Sequence, residues 1–281
     1  MQKQLELLKK YTLTVEGVRG QHFLIDPNIQ RKIVACVNPK PSDLVLEIGP
    51  GLGALTEELL HSGAQIVAVE SDRRFCEILK TEYGSQFKNL NVIHADILSI
   101  QLDQLFPKNK HAKLKVVGNL PYYITSPIIF CLVSHRKLIQ EAVLMMQKEI
   151  VDRLLAKTGS KNYSRLSLLA QYYFDIERAF NVPRTCFSPK PRVNSSVVKL
   201  IFRKSDSNVD ETLLFQIIKY TFAHRRKNIL NSLSHELKNQ YSKETVEKAL
   251  SKAGLDPKKR AEDLSMKDYL KLTEAFRKCC I

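Results

Sequence analysis

From about residue 26 to residue 200 the chain alternates short apolar runs with amphipathic stretches of helical period. That alternation is the sequence form of a doubly wound parallel sheet. Strands read at Leu44 to Ile48, Gln65 to Glu70, Asn91 to His94, Leu114 to Gly118 and Ala142 to Met146. Asp26 followed by Pro27 reads as the cap and first residue of a helix with the apolar face Ile29, Ile33, Val34 and Val37. Further helices read near Ala54 to His61, Arg73 to Tyr83, Pro127 to His135 with Ser126 as cap, from Lys148 onward, and Arg165 to Phe174. Two late β-rich runs, Ile176 to Val182 and Ser195 to Phe202, are expected to pair as an antiparallel hairpin at the sheet edge. After Phe202 the polar stretch Arg203 to Asp210 reads as a linker, and only helical patterns follow. These run through Leu213, Leu214, Ile217, Ile218 and Phe222, then Lys243 to Ala253 and Ser265 to Lys278. The expected fold is therefore α/β, a Rossmann-like sheet in residues 1–205, with a small C-terminal all-helical domain in 206–281.

A chain of 281 residues with 44% hydrophobic residues and no apolar run near 18 residues is expected to be a soluble globular protein. Its start lacks the apolar stretch of a signal peptide, so a cytoplasmic location and no membrane partner are expected. Forty-four Lys and Arg against 29 Asp and Glu give a formal charge of +15, which favours a polyanionic partner. Six cysteines without CxxC spacing read as reduced thiols, and the terminal Cys279-Cys280-Ile281 lacks a prenylation box. The seven histidines form no zinc spacing, so no metal is implied.

The first strand runs into Glu47-Ile48-Gly49-Pro50-Gly51-Leu52-Gly53-Ala54, a glycine-rich turn opening a helix, and Glu70 closes the second strand. A nicotinamide dinucleotide is one ligand for such a turn. Pro50, however, removes an amide that would cradle a pyrophosphate, and Glu47 places a negative charge where a cationic ligand is favoured. S-adenosylmethionine fits better, with Glu70 accepting from the ribose hydroxyls and Asp96, after the third strand, accepting from the adenine amine. Glu70 and Asp96 also read as helix caps or solvated loop acids.

Asn119-Leu120-Pro121-Tyr122 directly follows the strand Leu114 to Gly118, at the carboxyl end of the sheet where reactants gather in open α/β folds. The exocyclic amine of a nucleobase is a poor nucleophile because its lone pair is delocalised into the ring. Two acceptors can draw that pair back onto nitrogen. The Asn119 side-chain carbonyl is one, and the Leu120 backbone carbonyl, held extended before Pro121, is the other. Pro121 adds no competing N–H, and Tyr122 offers a flat face for a base taken out of its stack.

These motifs together resemble the small-subunit ribosomal RNA adenine N6,N6-dimethyltransferases over almost the whole chain. The matching segments are Gly20 to Leu24, Glu47 to Leu59, Val116 to Ile128, Phe187 to Val193, Phe222 to Asn231 and Arg260 to Ser265. The last two bear most on the choice of substrate. The resemblance implies that S-adenosylmethionine is held by His22, Leu24, Gly49, Gly51, Glu70, Asp96 and Asn119. It implies that methyl groups pass to N6 of two adjacent adenosines in the 3′-terminal hairpin of small-subunit rRNA. Phe187 resembles a second aromatic that sandwiches the flipped adenine with Tyr122. The basic residues Arg184, Lys190 and Arg192, and the knot Arg225, Arg226 and Lys227, are expected to face RNA, with Lys258, Lys259 and Arg260 as a further patch. His22 stands where the family more often has Asn, which makes that contact open to protonation, and Tyr123 replaces a usual Asn, which is expected to affect packing more than chemistry. The expected partner is the immature 30S-type subunit, met by a monomer.

The alternatives are a large-subunit rRNA adenine dimethyltransferase of the macrolide-resistance type, a DNA adenine methyltransferase, a ribosome-assembly factor selected for binding alone, and a nicotinamide oxidoreductase.

Overall fold

The computed structural model describes residues 3–13, 22–106, 114–204, 208–224 and 226–279. Nine strands are found among these residues: β1 (Phe23–Leu24), β2 (Leu44–Ile48), β3 (Gln65–Glu70), β4 (Leu90–His94), β5 (Leu114–Asn119), β6 (Ile139–Gln147), β7 (Phe174–Val182), β8 (Phe187–Ser188) and β9 (Ser195–Phe202). The helices are α1 (Lys3–Lys10), α2 (Pro27–Val37), α3 (Thr56–Leu60), α4 (Arg73–Leu79), α5 (Leu102–Leu105), α6 (Thr125–Ser134) and α7 (Lys148–Leu154), then α8 (Arg165–Tyr173), α9 (Glu211–Ala223), α10 (Ile229–Glu236), α11 (Lys243–Lys252) and α12 (Met266–Cys279).

Seven strands form one sheet in the order β4-β3-β2-β5-β6-β9-β7. The first five run parallel, and β9 and β7 are antiparallel, with β7 at the edge as the hairpin reading requires. From β2 the chain turns to β3 on one side, while β5 lies on the other. The crevice at their carboxyl ends is the topological switch point where such sheets bind ligands. β1 and β8 make a separate antiparallel pair, Phe23 opposite Ser188 and Leu24 opposite Phe187.

Local chemistry explains where the elements begin. The Asp26 carboxylate accepts from the N–H groups of Asn28 and Ile29 and so caps α2, with Pro27 at its first turn. Asp72 caps α4 in the same way, accepting from the Arg74 N–H. Ser126 does not cap α6. That helix starts at Thr125 straight out of a 3₁₀ turn over Tyr122–Ile124, which leaves no extended residue for a capping hydroxyl. α1 is not visible in the alternation that marks the rest of the chain. It is held by Leu7, which packs with Phe23, Leu52, Phe75 and Ile78, and by Gln30, whose amide donates to Gln4 Oε1 and to the Leu24 carbonyl.

The chain divides into two compact units, Met1–Val151 with Phe174–Phe202, and Asp152–Tyr173 with Arg203–Ile281. The first holds the sheet. The domain boundary expected at residue 205 leaves Asp152–Tyr173 on its other side, because Ala156, Tyr163 and Leu168 are buried with the core of the C-terminal helices, contacts distant in sequence. The second unit packs α8–α12 around Leu214, Ile218, Leu233, Leu250, Leu272 and Phe276. Among the described residues no helix is long and apolar enough to cross a membrane.

Candidate active site

A cavity of about 170 Å³ opens at the carboxyl ends of β2, β3, β4 and β5. It is lined by His22, Leu24, Gly49, Gly51, Glu70, Asp96, Asn119, Leu120, Pro121 and Tyr122, which brings together ten of the sequence-derived candidates. Phe23, Glu47, Asp72, Phe75 and Tyr123 line it as well.

The glycine turn is built around a carboxylate. Gly49 and Gly51 take φ of +63° and +56°, the left-handed region that glycine enters without cost. The Gly51 N–H donates to Glu70 Oε2 at 3.0 Å, and the Asp72 N–H donates to Glu70 Oε1 at 2.9 Å. Glu70 therefore ties β3 to the turn after β2 while each of its oxygens keeps lone-pair capacity toward the cavity. Gly53, at φ +81°, is required for another reason, since a Cβ there would lie 2.7 Å from Cε2 of the buried Tyr83 ring. Asp96 is exposed, accepts from the Leu98 N–H and borders the cavity.

Glu47 departs from expectation. Its carboxyl is 1% exposed, burial pushes its pKa up to about 8, and the charge of Glu70 adds to the rise, while the hydroxyl of Thr56, donating at 2.7 Å, opposes it. At neutral pH this residue is mostly protonated, not the fixed negative charge read from the sequence.

Asn119 ends β5 with its amide oriented by the backbone. Its Nδ2 donates to the His22 carbonyl at 3.2 Å, and Oδ1, on the other branch of the amide, stays available as an acceptor. The Leu120 N–H donates to Met145 O at 2.9 Å, and Pro121 has no N–H, so neither residue offers a main-chain donor that competes with the acceptors. Tyr122 is half-buried, and burial raises its hydroxyl pKa. That hydroxyl shares a 2.9 Å hydrogen bond with Ser195 Oγ at the head of β9. The ring lies 5.6 Å from the His22 imidazole at a tilt of 36°. His22 in turn donates from Nδ1 to the Pro189 carbonyl at 2.7 Å, linking the Phe187 to Val193 loop to the cavity wall. Leu24, 1% exposed, lines the floor, and its carbonyl is occupied by Gln30.

Two aromatic positions lie elsewhere than expected. Phe187 is 4% exposed, belongs to the core with Leu24 and Val182, and is not among the cavity-lining residues. Tyr123, expected to affect packing, is instead 70% exposed at the cavity mouth. Arg184, Lys190 and Arg192 are exposed on the loop that His22 ties down, and Arg226 and Lys227 are exposed in the helical unit. Arg225 lies outside the described residues, as do Gly20, Gln21 and Cys280. The Arg260 to Ser265 segment is largely structural: Ala261 and Leu264 are buried, and Tyr269 and Tyr163 donate to their carbonyls.

Phe23, Phe75, Ser195 and Gln30 carry no signal in sequence as site residues. Their roles come from contacts across long separations, although Phe23 lies inside the Gly20 to Leu24 segment and Ser195 opens a strand straight after a proline loop.

A parallel sheet with a switch-point crevice, an acid-braced glycine turn and an Asn-Leu-Pro-Tyr tip together define a Rossmann-like S-adenosylmethionine-dependent methyltransferase. The chain matches the ribosomal RNA adenine dimethylase family over residues 18–278, and it belongs to that family. It is 41% identical over 277 residues to the ribosomal RNA small subunit methyltransferase A of Geobacillus sp. strain WCH70, covering 97% of this chain and 95% of that protein. The protein of the same name from Shouchella clausii is 41% identical over 274 residues, covering 96% and 92%. Among solved structures, a dimethyladenosine transferase from Plasmodium falciparum superposes with a TM-score of 0.78 at 33% identity, covering 92% of this chain and 99% of that one. The 23S rRNA methyltransferase ErmE superposes with a TM-score of 0.68 at 27% identity, covering 91% and 99%.

Proposed function

We propose that this family member dimethylates N6 of two adjacent adenosines in the 3′-terminal hairpin of small-subunit rRNA, acting as a cytoplasmic monomer on an immature 30S-type particle. The observation that carries the chemistry is the fixed Asn119 amide, whose Nδ2 is held by the His22 carbonyl so that Oδ1 is presented as an acceptor. The small-subunit target is supported by the names of relatives 41% identical over nearly the full chain.

The lining of the cavity fits the cofactor. Among the described residues its charged side chains are Glu70, Asp72 and Asp96, with no Lys or Arg, which suits a cationic ligand and disfavours a pyrophosphate. The Gly51 amide, which a phosphate would need, is already taken by Glu70. When bound, S-adenosylmethionine supplies an electrophilic methyl group on a sulfonium. Glu70 and Asp96 are the acceptors for its hydroxyl and amine donors, Gly49 and Gly51 give it close backbone approach, and His22 and Leu24 wall the side nearest the RNA loop. Asn119 Oδ1 and the Leu120 carbonyl accept from the target amine, localise its lone pair and stabilise the positive charge that builds on nitrogen. No strong base is required, because the alkylated amine is acidic. Tyr122, held by Ser195, supports the base plane, and alignment of the two reactants supplies much of the rate. Lys190 and Arg192 are placed on the adjoining loop to meet phosphates.

Incubating the protein with S-adenosylmethionine and immature small subunits, then digesting the rRNA for mass spectrometry, is expected to give N6,N6-dimethyladenosine in the 3′-terminal fragment. Asn119→Ala is expected to reduce the rate by about 10²–10³-fold, the scale of losing one positioned electrostatic group. Product confined to large-subunit rRNA would overturn the substrate assignment, and an unimpaired Asn119→Ala enzyme would overturn the chemistry.

A further inference from the structure

In the helical unit three side chains converge that the methyl-transfer chemistry does not use. His224 sits immediately after α9, and His235 and Glu236 are the last two residues of α10. His224 Nε2 lies 3.3 Å from His235 Nδ1 and 3.0 Å from Glu236 Oε1, and His235 Nδ1 lies 3.2 Å from the same oxygen. We propose that these three atoms form a binding site for a divalent cation of the zinc class, with a fourth position open to water.

Ligand atoms about 2.0–2.1 Å from a tetrahedral Zn²⁺ lie roughly 3.3 Å from one another, because the edge of a tetrahedron is about 1.6 times its centre-to-corner distance. All three edges here fall between 3.0 and 3.3 Å, so a cation seated above the triangle meets each atom at bonding distance with little side-chain movement. Two imidazole nitrogens and one carboxylate oxygen are also a donor set that zinc takes when it keeps an exchangeable ligand. The three side chains are 31%, 54% and 26% exposed, which leaves an entry path for the ion. His224 is anchored by its backbone, its carbonyl accepting from the Lys227 N–H at 2.8 Å and from Ser232 Oγ at 3.4 Å. A bound ion would therefore clamp the end of α9 to the end of α10 across the turn that carries Arg226 and Lys227. The spacing, ten residues between the histidines with the acid directly after the second, belongs to no familiar zinc pattern, so sequence alone implied no metal.

The competing arrangement needs no ion. Both ring N–H groups can donate to the one Glu236 oxygen, and the hydrogen bond from His235, joined by that from His224, already holds that carboxyl below its ordinary pKa. Titration of the tag-free, full-length protein with Co²⁺ separates the two. Site formation gives the intense visible bands of four-coordinate cobalt at one equivalent, displaced by Zn²⁺, whereas a hydrogen-bonded cluster gives none. Calorimetry with Zn²⁺ is expected to show one site. Replacing an outer partner of a metal ligand typically costs about 10–100-fold in affinity, so His235→Ala and Glu236→Gln, which remove ligands, are each expected to weaken binding by at least that factor. His235 is the most exposed of the three, so His235→Ala is expected to fold, and Glu236→Gln keeps the side-chain shape should it not. Zinc affinity that persists in both variants, or that instead disappears with Cys279→Ser and Cys280→Ser, overturns the proposal, as does the absence of any cobalt spectrum.

Discussion

Glu47 concentrates the energetics of the site in one proton. In an unfolded chain its carboxyl titrates near 4.5, and in the fold near 8. Below about pH 4.5 it is protonated in both states and costs nothing. As pH rises toward 8 the unfolded chain releases the proton while the folded chain keeps it, so folding loses stability through that window, by roughly 5 kcal/mol at about 1.4 kcal/mol per pKa unit. Glu47→Gln should therefore become progressively more stable than the parent between pH 5 and pH 8.5 in denaturant melts, and a difference that does not change with pH would refute this account. Tyr122 offers a second test. Its bond to Ser195 fixes the ring but touches no reacting atom, so Ser195→Ala should slow methyl transfer by about 3–10-fold, the worth of one ordinary hydrogen bond, with S-adenosylmethionine affinity unchanged. Asn119 and Tyr122 are legible in sequence because their motif is contiguous. The partners that orient them are not, because the His22 carbonyl is 97 positions from Asn119 and Ser195 is 73 from Tyr122. The burial of Phe187 likewise depends on core neighbours such as Leu24, distant in sequence, which no pattern local to the Phe187 to Val193 loop encodes.

At the level of elements, strands β2, β3 and β9 match the sequence reading residue for residue, since a buried strand flanked by polar turns leaves its apolar run unambiguous. α1 and α10 escape it. α1 is a single amphipathic helix of eight residues outside the alternating region, and its stability comes from docking on Phe23 and Phe75. α10 follows a basic run, and its three apolar residues, Ile229, Leu230 and Leu233, are too few to show a period by themselves. The junction of the glycine turn with the segment after α4 is tightly packed. Gly53→Ala adds a methyl group 2.7 Å from the Tyr83 ring and forces alanine to φ +81°. A loss of at least about 2 kcal/mol is expected from strain and overpacking together, with partial recovery in a Gly53→Ala, Tyr83→Leu double variant. Unchanged thermal stability of the single variant would show that the turn can shift to accommodate the methyl group.

Over the whole molecule the chain carries a net charge of +15, whereas among the described residues the charged side chains lining the cavity are acidic, so the charge that favours a polyanion and the charge that favours a cationic cofactor belong to different residues. Lys190 and Arg192 are exposed on the loop that His22 ties to the cavity wall. The double reversal Lys190→Glu, Arg192→Glu should weaken rRNA binding and lower the slope of log affinity against log salt by about 1.5–2, while leaving the melting temperature unchanged because both residues are exposed. An unaltered salt slope would remove them from the RNA interface. The two-part organisation was legible in the composition change after Phe202, but the excursion of Asp152–Tyr173 was not, since which core a helix joins is decided by partners that are distant in sequence.

The ties from His22 to Asn119 and to Pro189 have a consequence for the order of synthesis. Pro189 lies 167 residues after His22, so the wall formed by β1 has no second strand and no imidazole partner until the late loop has been made. A chain stopped after β6 would possess the glycine turn, Glu70 and Asn119, yet Tyr122 would lack Ser195 and β1 would lack β8. During translation, affinity for the methyl donor should thus arrive abruptly once Pro189 has been made instead of growing with chain length, and fragments ending earlier should be ready substrates for proteases at β1.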